Sequence, residues 1–231
     1  MPPADRINMQ PTLKPRVKIC CIQSVAEAWM AIRRRASGLG LVSAMPSGPA
    51  VISEERIAEI AAAIPPGVGS FLLTSKQDAP SIIAQQRRTG VNTIQICDRL
   101  ELGSYMALRR GMPGIALVQV IHVTGEESVA EALAVSEHVD AVLLDSGNQS
   151  LPVKELGGTG RTHAWKLSLR IREHVGVPVF LAGGLNAGNV QEAIREVAPF
   201  AMDVCSGVRT SGNLDEVKLV QFFERAWTGS N

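Results

Sequence analysis

Apolar runs of strand length recur along the chain, and between them the apolar positions switch to the three-and-four spacing of a helix face. The runs are 17–22 (VKICCI), 39–44 (LGLVSA), 68–74 (VGSFLLT), 93–97 (TIQIC), 115–122 (IALVQVIH), 141–146 (AVLLDS), 178–183 (PVFLAG) and 202–207 (MDVCSG). Helix-period stretches occupy 24–36, 53–63, 79–88, 102–110, 126–137, 164–174, 188–196 and 214–227. Ser53 followed by Glu54 and Glu55, and Asn186 ahead of Asn189 and Val190, read as polar helix starts. Pro65-Pro66, Gly90 and Gly176 break a helical stretch from the strand that follows it. Strands alternating with helices predict a parallel sheet, and eight such units close it into a single α/β domain, a (β/α)8 TIM barrel. The 231 residues suit that fold, which typically needs about 250. Residues 1–15 carry three prolines before Pro15 and read as an N-terminal extension, leaving 16–231 for the barrel.

Composition sharpens this picture. Hydrophobic residues make up 45% of the chain and aromatics only 4%, so the core is built mainly from Val, Ile, Leu and Ala, as interdigitating barrel layers require. A net charge of +1 gives no reason to expect nucleic acid or an anionic membrane as partner. No apolar run reaches the roughly 18 residues of a membrane span, and the first residues lack an apolar signal-peptide core, which predicts a cytoplasmic protein. Cys20, Cys21, Cys97 and Cys205 lie within or at the ends of apolar runs, which suits reduced thiols better than a disulfide framework. As neighbours on a strand, Cys20 and Cys21 would point to opposite faces. No Cys-x-x-Cys pair or His cluster has zinc-site spacing, so no metal is expected.

Candidate chemistry gathers where the runs end. In a parallel barrel all the strand ends open onto one face, so Cys20, Asp145, Gly183-Gly184 and Ser206-Gly207 can share a site despite their distance in sequence. Strand alternation places Lys18 with Cys20, Gln95 with Cys97, Leu143 with Asp145, and Asp203 with Cys205 on the inner face. Free cysteine usually packs as a small hydrophobe, so burial alone leaves the role of Cys20 open. Asp145 differs, because an ionised carboxylate ending the run Ala141–Leu144 needs a partner or a task. Lys18 and Asp203 read as a buried pair that neutralise one another. Glycines at two consecutive strand ends let backbone N–H groups approach a phosphate, which barrel enzymes often hold after strands 7 and 8. Gly157-Gly158-Thr159-Gly160 forms a third such loop, with a flap or hinge as the other reading.

The segments Lys18-Ile19-Cys20, Ile94-Gln95, Leu143-Leu144-Asp145, Gly157-Gly158-Thr159-Gly160, Trp165, Leu181-Ala182-Gly183-Gly184-Leu185, Asn189-Val190 and Asp203-Val204-Cys205-Ser206-Gly207-Val208 resemble, in order and spacing, phosphoribosylanthranilate isomerase of tryptophan biosynthesis. The likeness runs from about residue 16 to 227. It implies a cofactor-free (β/α)8 barrel with a small-molecule phosphoribosyl substrate, N-(5-phosphoribosyl)anthranilate, rearranged to a 1-deoxyribulose 5-phosphate by an Amadori reaction. It further implies Cys20 as general base and Asp145 as general acid. Asp145 would protonate the ribose ring oxygen; Cys20, its thiolate favoured by Lys18 on the same face or by a nearby substrate cation, would remove the C2 proton of the iminium. The loops at Gly183-Gly184 and Ser206-Gly207 would anchor the phosphate.

The chain also departs from the family pattern. Cys21 stands where the family usually has Gly, Gln23 where it has Thr or Ser, and Ser47-Gly48-Pro49 where an arginine meets the anthranilate carboxylate. Gln-Leu-His-Gly appears as Gln95-Ile96-Cys97-Asp98, Phe-Asp-Trp as His163-Ala164-Trp165, and Gly-Val-Glu as Gly207-Val208-Arg209. Arg209 is the candidate replacement cation, with a solvated loop arginine as the plain alternative. Two other functions stay open: an isomerase acting on another phosphoribosyl compound, and a non-catalytic phosphosugar-binding relative.

Overall fold

The computed structural model describes residues 14–147, 154, 156 and 164–228. Residues 1–13 of the expected extension and the glycine loop 157–160 lie outside the described residues. Parallel strands β1 (Arg16–Ile19), β2 (Gly38–Val42), β3 (Gly69–Thr74), β4 (Thr93–Ile96), β5 (Ala116–His122), β6 (Ala141–Asp145), β7 (Val179–Leu181) and β8 (Ala201–Val204) close into a barrel in chain order. Closure pairs β8 with β1 in a register that sets Lys18 beside Asp203 and Ile19 beside Val204. Around the strands lie helices α1 (Val25–Arg33), α2 (Glu54–Ala62), α3 (Ala79–Thr89), α4 (Leu102–Gly111), α5 (Glu127–Ser136), α6 (Trp165–His174), α7 (Val190–Val197) and α8 (Glu216–Thr228).

Local chemistry explains most of the helix ends. Ser24, Ser53 and Asp78 each cap a first turn, accepting from the backbone N–H of Glu27, Arg56 and Ser81, a contact worth about 1 kcal/mol. Gly90 ends α3 in the left-handed conformation at φ +68°. The polar start expected near residue 188 has a different use, because α7 begins at Val190 and Asn189 makes no side-chain cap bond. Its amide instead accepts from the Asn186 N–H at 2.9 Å and donates to the Gly184 carbonyl at 3.0 Å, fastening the loop after β7.

Alternation along the strands separates two buried layers. Val17, Ile19, Leu39, Leu41, Leu72, Ile94, Val142, Leu144, Leu181 and Met202 face the helices and form the larger core. Their in-between neighbours Phe71, Leu73, Val118, Val120, Leu143, Phe180 and Ala201 fill the barrel with Lys18, which is fully buried. Phe71 packs edge-on against Phe180 at 5.9 Å, and the Lys18 ammonium lies 5.3 Å from the centre of the Phe71 ring.

Two departures from the sequence pattern matter for the site. The run 17–22 is strand only as far as Ile19, because Cys21 has φ +66° and turns the backbone, so Cys20 and Cys21 are not on opposite faces of a strand. The run 202–207 is strand only as far as Val204; a 3-10 turn (Ser206–Val208) follows it. Then come β9 (Arg209–Thr210) and β10 (Asn213–Leu214), an antiparallel pair ahead of α8. Ser211 and Gly212, at φ +49° and +83°, make their two-residue turn, a conformation with positive φ at both central residues.

Candidate active site

The C-terminal ends of the strands surround a cavity of roughly 640 Å³ including its open mouth. Cys20 reaches its wall from the end of β1 and Asp145 from the end of β6; both are buried. Gly183, Gly184 and Ser206 form another part of the wall, joined by Cys21, Gln95, Asp203, Cys205 and Leu156. Two of the expected site residues, Gly207 and Arg209, are not among those that line it.

A close approach holds Cys20 in place. A Cβ on Gly40 of the neighbouring strand β2 would lie 2.8 Å from the Cys20 Sγ, 3.1 Å from its Cα and 3.2 Å from the Lys18 Nζ. Glycine is therefore the residue that admits the thiol and the ammonium side by side. The Lys18 Nζ donates to Asp203 Oδ2 at 2.8 Å. Burial works against the Lys18 charge, but the Asp203 carboxylate and the sulfur of Cys20 outweigh it, so its pKa is raised and the ammonium persists. Asp203 Oδ1 and Gln95 Oε1 are buried without a hydrogen-bond partner, and both residues line the cavity. Buried acceptors of this kind are normally satisfied, so a bound ligand's hydroxyl or N–H groups are suitable donors for them. Asp145 accepts from the Ser146 N–H at 2.7 Å through Oδ1.

Gly183 and Gly184 have φ +85° and +62°, which turns the backbone after β7 sharply toward the cavity. Gly207 has a packing reason of its own: a Cβ there would fall 2.0 Å from the Leu185 carbonyl oxygen. The two loops at the ends of β7 and β8 thus touch backbone to backbone, and Gly207 is what lets them meet.

Arg209 is buried rather than a solvated loop residue. Its guanidinium pairs with Glu27 at 3.1 Å and donates to the carbonyls of Gly212, Cys20 and Cys21. Burial opposes both charges of this pair, yet Arg209 and the amides of Leu214 and Gln23 hold the Glu27 carboxyl below its usual value, and Glu27 raises Arg209. Glu27 carries no sequence signal of function, although Ser24-x-x-Glu27 has the spacing of a capping box. Here that carboxylate ties α1 to the turn after β8 instead, accepting also from the Leu214 N–H at 2.8 Å.

No lysine or arginine is found among the described residues that line the cavity. Among the described residues, one lysine outside that lining is tied to the wall through its backbone. Lys154 donates to the buried Asp98 at 2.6 Å, and its carbonyl accepts from the hydroxyl of Ser47, a wall residue, at 2.5 Å. Asp98 and Lys154 are separated by 56 residues, and nothing in the sequence pairs them.

Among the described residues no helix is long and apolar enough to cross a membrane. The sequence model of the N-(5'phosphoribosyl)anthranilate isomerase family matches residues 17–225. N-(5'-phosphoribosyl)anthranilate isomerase 2 of Methanosarcina mazei is 34% identical over 91% of this chain and 93% of its own length. The isomerase of Haloferax volcanii is 32% identical over 91% and 92%. Among solved structures, the Thermotoga maritima isomerase superimposes with a TM-score of 0.77 at 29% identity, covering 92% of this chain and 98% of that one. Another phosphoribosylanthranilate isomerase, solved with reduced 1-(o-carboxyphenylamino)-1-deoxyribulose 5-phosphate, superimposes with a TM-score of 0.74 at 28% identity, covering 92% and 98%. The closed eight-strand barrel, the strand-end cavity and the match over residues 17–225 agree, and the chain belongs to the phosphoribosylanthranilate isomerase family, isomerases of tryptophan biosynthesis.

Proposed function

We propose that the cavity performs the Amadori rearrangement of N-(5'-phosphoribosyl)anthranilate with Asp145 as general acid and Cys20 as general base. The observation that carries this reading is that Cys20 and Asp145, 125 residues apart in sequence, stand in the wall of one cavity whose rim is the glycine loop after β7. Asp145 gives its proton to the ribose ring oxygen, and the C1–O bond breaks to leave an iminium at C1. The Cys20 thiolate then takes the C2 proton, and the electron pair of that bond neutralises the iminium to give an enolamine. Tautomerisation of the enolamine yields the ketone. Asp203 Oδ1 and the Gln95 amide oxygen are the unused acceptors that suit hydroxyls of the open-chain sugar. Phosphate bound by the backbone at Gly183-Gly184 and by Ser206, with Gly207 holding the two loops together, fixes the sugar at a distance from C1 and C2.

Arg209 acts as a positioning residue. It fixes the carbonyls of Cys20 and Cys21 and thereby the end of β1. The cation assigned to the aglycone carboxylate is Lys154, whose ammonium pairs with Asp98 and whose carbonyl accepts from Ser47, a wall residue two positions from Pro49, where the resemblance places the family arginine.

Substitution of either catalytic group tests the reading. Cys20→Ser and Asp145→Asn should each lower kcat by roughly 10²- to 10⁴-fold, with the far-UV circular dichroism unchanged, and wild type but neither variant should rescue a tryptophan auxotroph lacking the isomerase. Near-normal turnover of Cys20→Ser would remove the base assignment.

A further inference from the structure

The mechanism above uses one thiol, yet the ends of β1 and β8 bring three into the same wall: Cys20, Cys21 and Cys205. The Sγ atoms of Cys21 and Cys205 are 2.7 Å apart, although 184 residues separate them in sequence. Both thiols are free. Adjacent strands run about 4.8 Å apart, inside the Cα separation of about 4.4–6.8 Å that a disulfide spans. The β1–β8 ladder, with Ile19 beside Val204, leads directly into this pair. Cys21 also holds φ +66°, a conformation glycine adopts freely and other residues only at a cost. A strained backbone that delivers a side chain to a specific partner is characteristic of functional sites.

We propose that Cys21 and Cys205 are a redox-active dithiol, a modification site separate from the isomerase chemistry, whose co-substrate is a low-molecular-weight disulfide. Cys205 is the entry point: it is partly exposed at the cavity, whereas Cys21 is buried. The hydrogen bond shared with Cys21 and the charge of Arg209 lower the Cys205 pKa against the effect of burial, while contacts with the sulfurs of Cys20 and Cys205, together with burial, raise that of Cys21. That split suits a nucleophilic thiol and a resolving one. The Cys205 thiolate attacks one sulfur of R–S–S–R, forming Cys205–S–S–R and releasing RS⁻. Cys21 then loses its proton to solvent and attacks the Cys205 sulfur, forming the Cys21–Cys205 bond and releasing the second RS⁻. Both thiolates take up protons as RSH, so two electrons pass from the protein to the small disulfide. Cys97, fully buried and with its pKa pushed up by burial, takes no part.

Incubation of the folded, reduced protein with excess oxidised glutathione, acid quench, alkylation and tryptic mapping tests this without any reliance on turnover. The expected product has lost about 2 Da and joins the tryptic peptides 19–33 and 196–209. The same cross-link should form in Cys20→Ala and be absent from Cys21→Ala and Cys205→Ser, with circular dichroism reporting that each variant is folded. Cys205→Ser should in addition show no stable glutathione adduct on Cys21, the fragment ions of peptide 19–33 telling it from Cys20, whereas Cys21→Ala should retain one on Cys205 in peptide 196–209. A cross-link within peptide 19–33, one that disappears in Cys20→Ala, or four alkylated cysteines after oxidation would overturn the proposal. Because the readout is covalent, loss of the Cys20 base assignment would leave it standing, and its own failure would leave the isomerase reading untouched.

Discussion

The placement of Cys20 depends on an absent side chain, so Gly40→Ala perturbs the reaction from outside the set of reacting groups. A methyl at residue 40 would sit 2.8 Å from the Cys20 Sγ, whereas non-bonded heavy atoms of this kind rest near 3.5–4.0 Å, so the sulfur has to withdraw by roughly 1 Å. The contacts at 3.1 Å to the Cys20 Cα and 3.2 Å to the Lys18 Nζ limit any retreat of the backbone or the ammonium. Displacing a reacting group by about 1 Å can cost about 10²-fold in rate. The expected loss in kcat is therefore on that order, with KM nearly unchanged because the phosphate loops lie on other strands. Overpacking should also lower stability by about 1–3 kcal/mol, so kinetics must be measured well below the melting temperature. Steady-state kcat and KM, read beside a denaturation curve, separate the two effects. A stably folded Gly40→Ala with wild-type kcat would refute the claim that this approach positions the base.

Further outcomes follow from the rest of the site. Gly184→Val places a branched side chain at φ +62° in the loop after β7, and should raise KM for the phosphosugar, or weaken binding of inorganic phosphate measured by calorimetry; unchanged affinity for both would count against this loop as the phosphate site. Lys154→Ala should raise KM for the anthranilate substrate about ten- to a hundredfold, the worth of a charge-assisted hydrogen bond of about 1.5–3 kcal/mol, while sparing a phosphosugar that lacks the carboxylate. Equal losses for both ligands would mean that Lys154 does not meet the aglycone. The depressed Glu27 carboxyl contributes stability that is fully present above its unfolded value, near 4.5, and is lost as pH falls through the lower folded value. Glu27→Gln should therefore be less stable than wild type at neutral pH, and the gap should narrow as the solution is acidified below about 4.5; a constant gap across chemical denaturation series at several pH values would contradict this linkage.

The pattern of the chain carried the architecture because each apolar run is terminated by its own local chemistry. Two-residue alternation put Lys18, Gln95, Leu143 and Asp203 inside the barrel, and serines and glycines at the helix ends marked the connections. Once eight units close, every strand end faces one way, so the order of the runs alone groups Cys20, Asp145 and Gly183-Gly184 at one end of the barrel. What the sequence leaves undetermined is where a side chain's partner comes from across closure. Nothing local shows that Arg209, 182 residues from Glu27, is neutralised by it, or that Asp98 anchors Lys154. Nor does it show that Cys21 leaves the strand at a positive φ to face Cys205, or that a Cβ at Gly207 would strike the Leu185 carbonyl. Periodicity is a property of neighbours along the chain, and so it determines which face a residue occupies. Charge pairing and close approach are properties of neighbours in space, and only the closed barrel decides them.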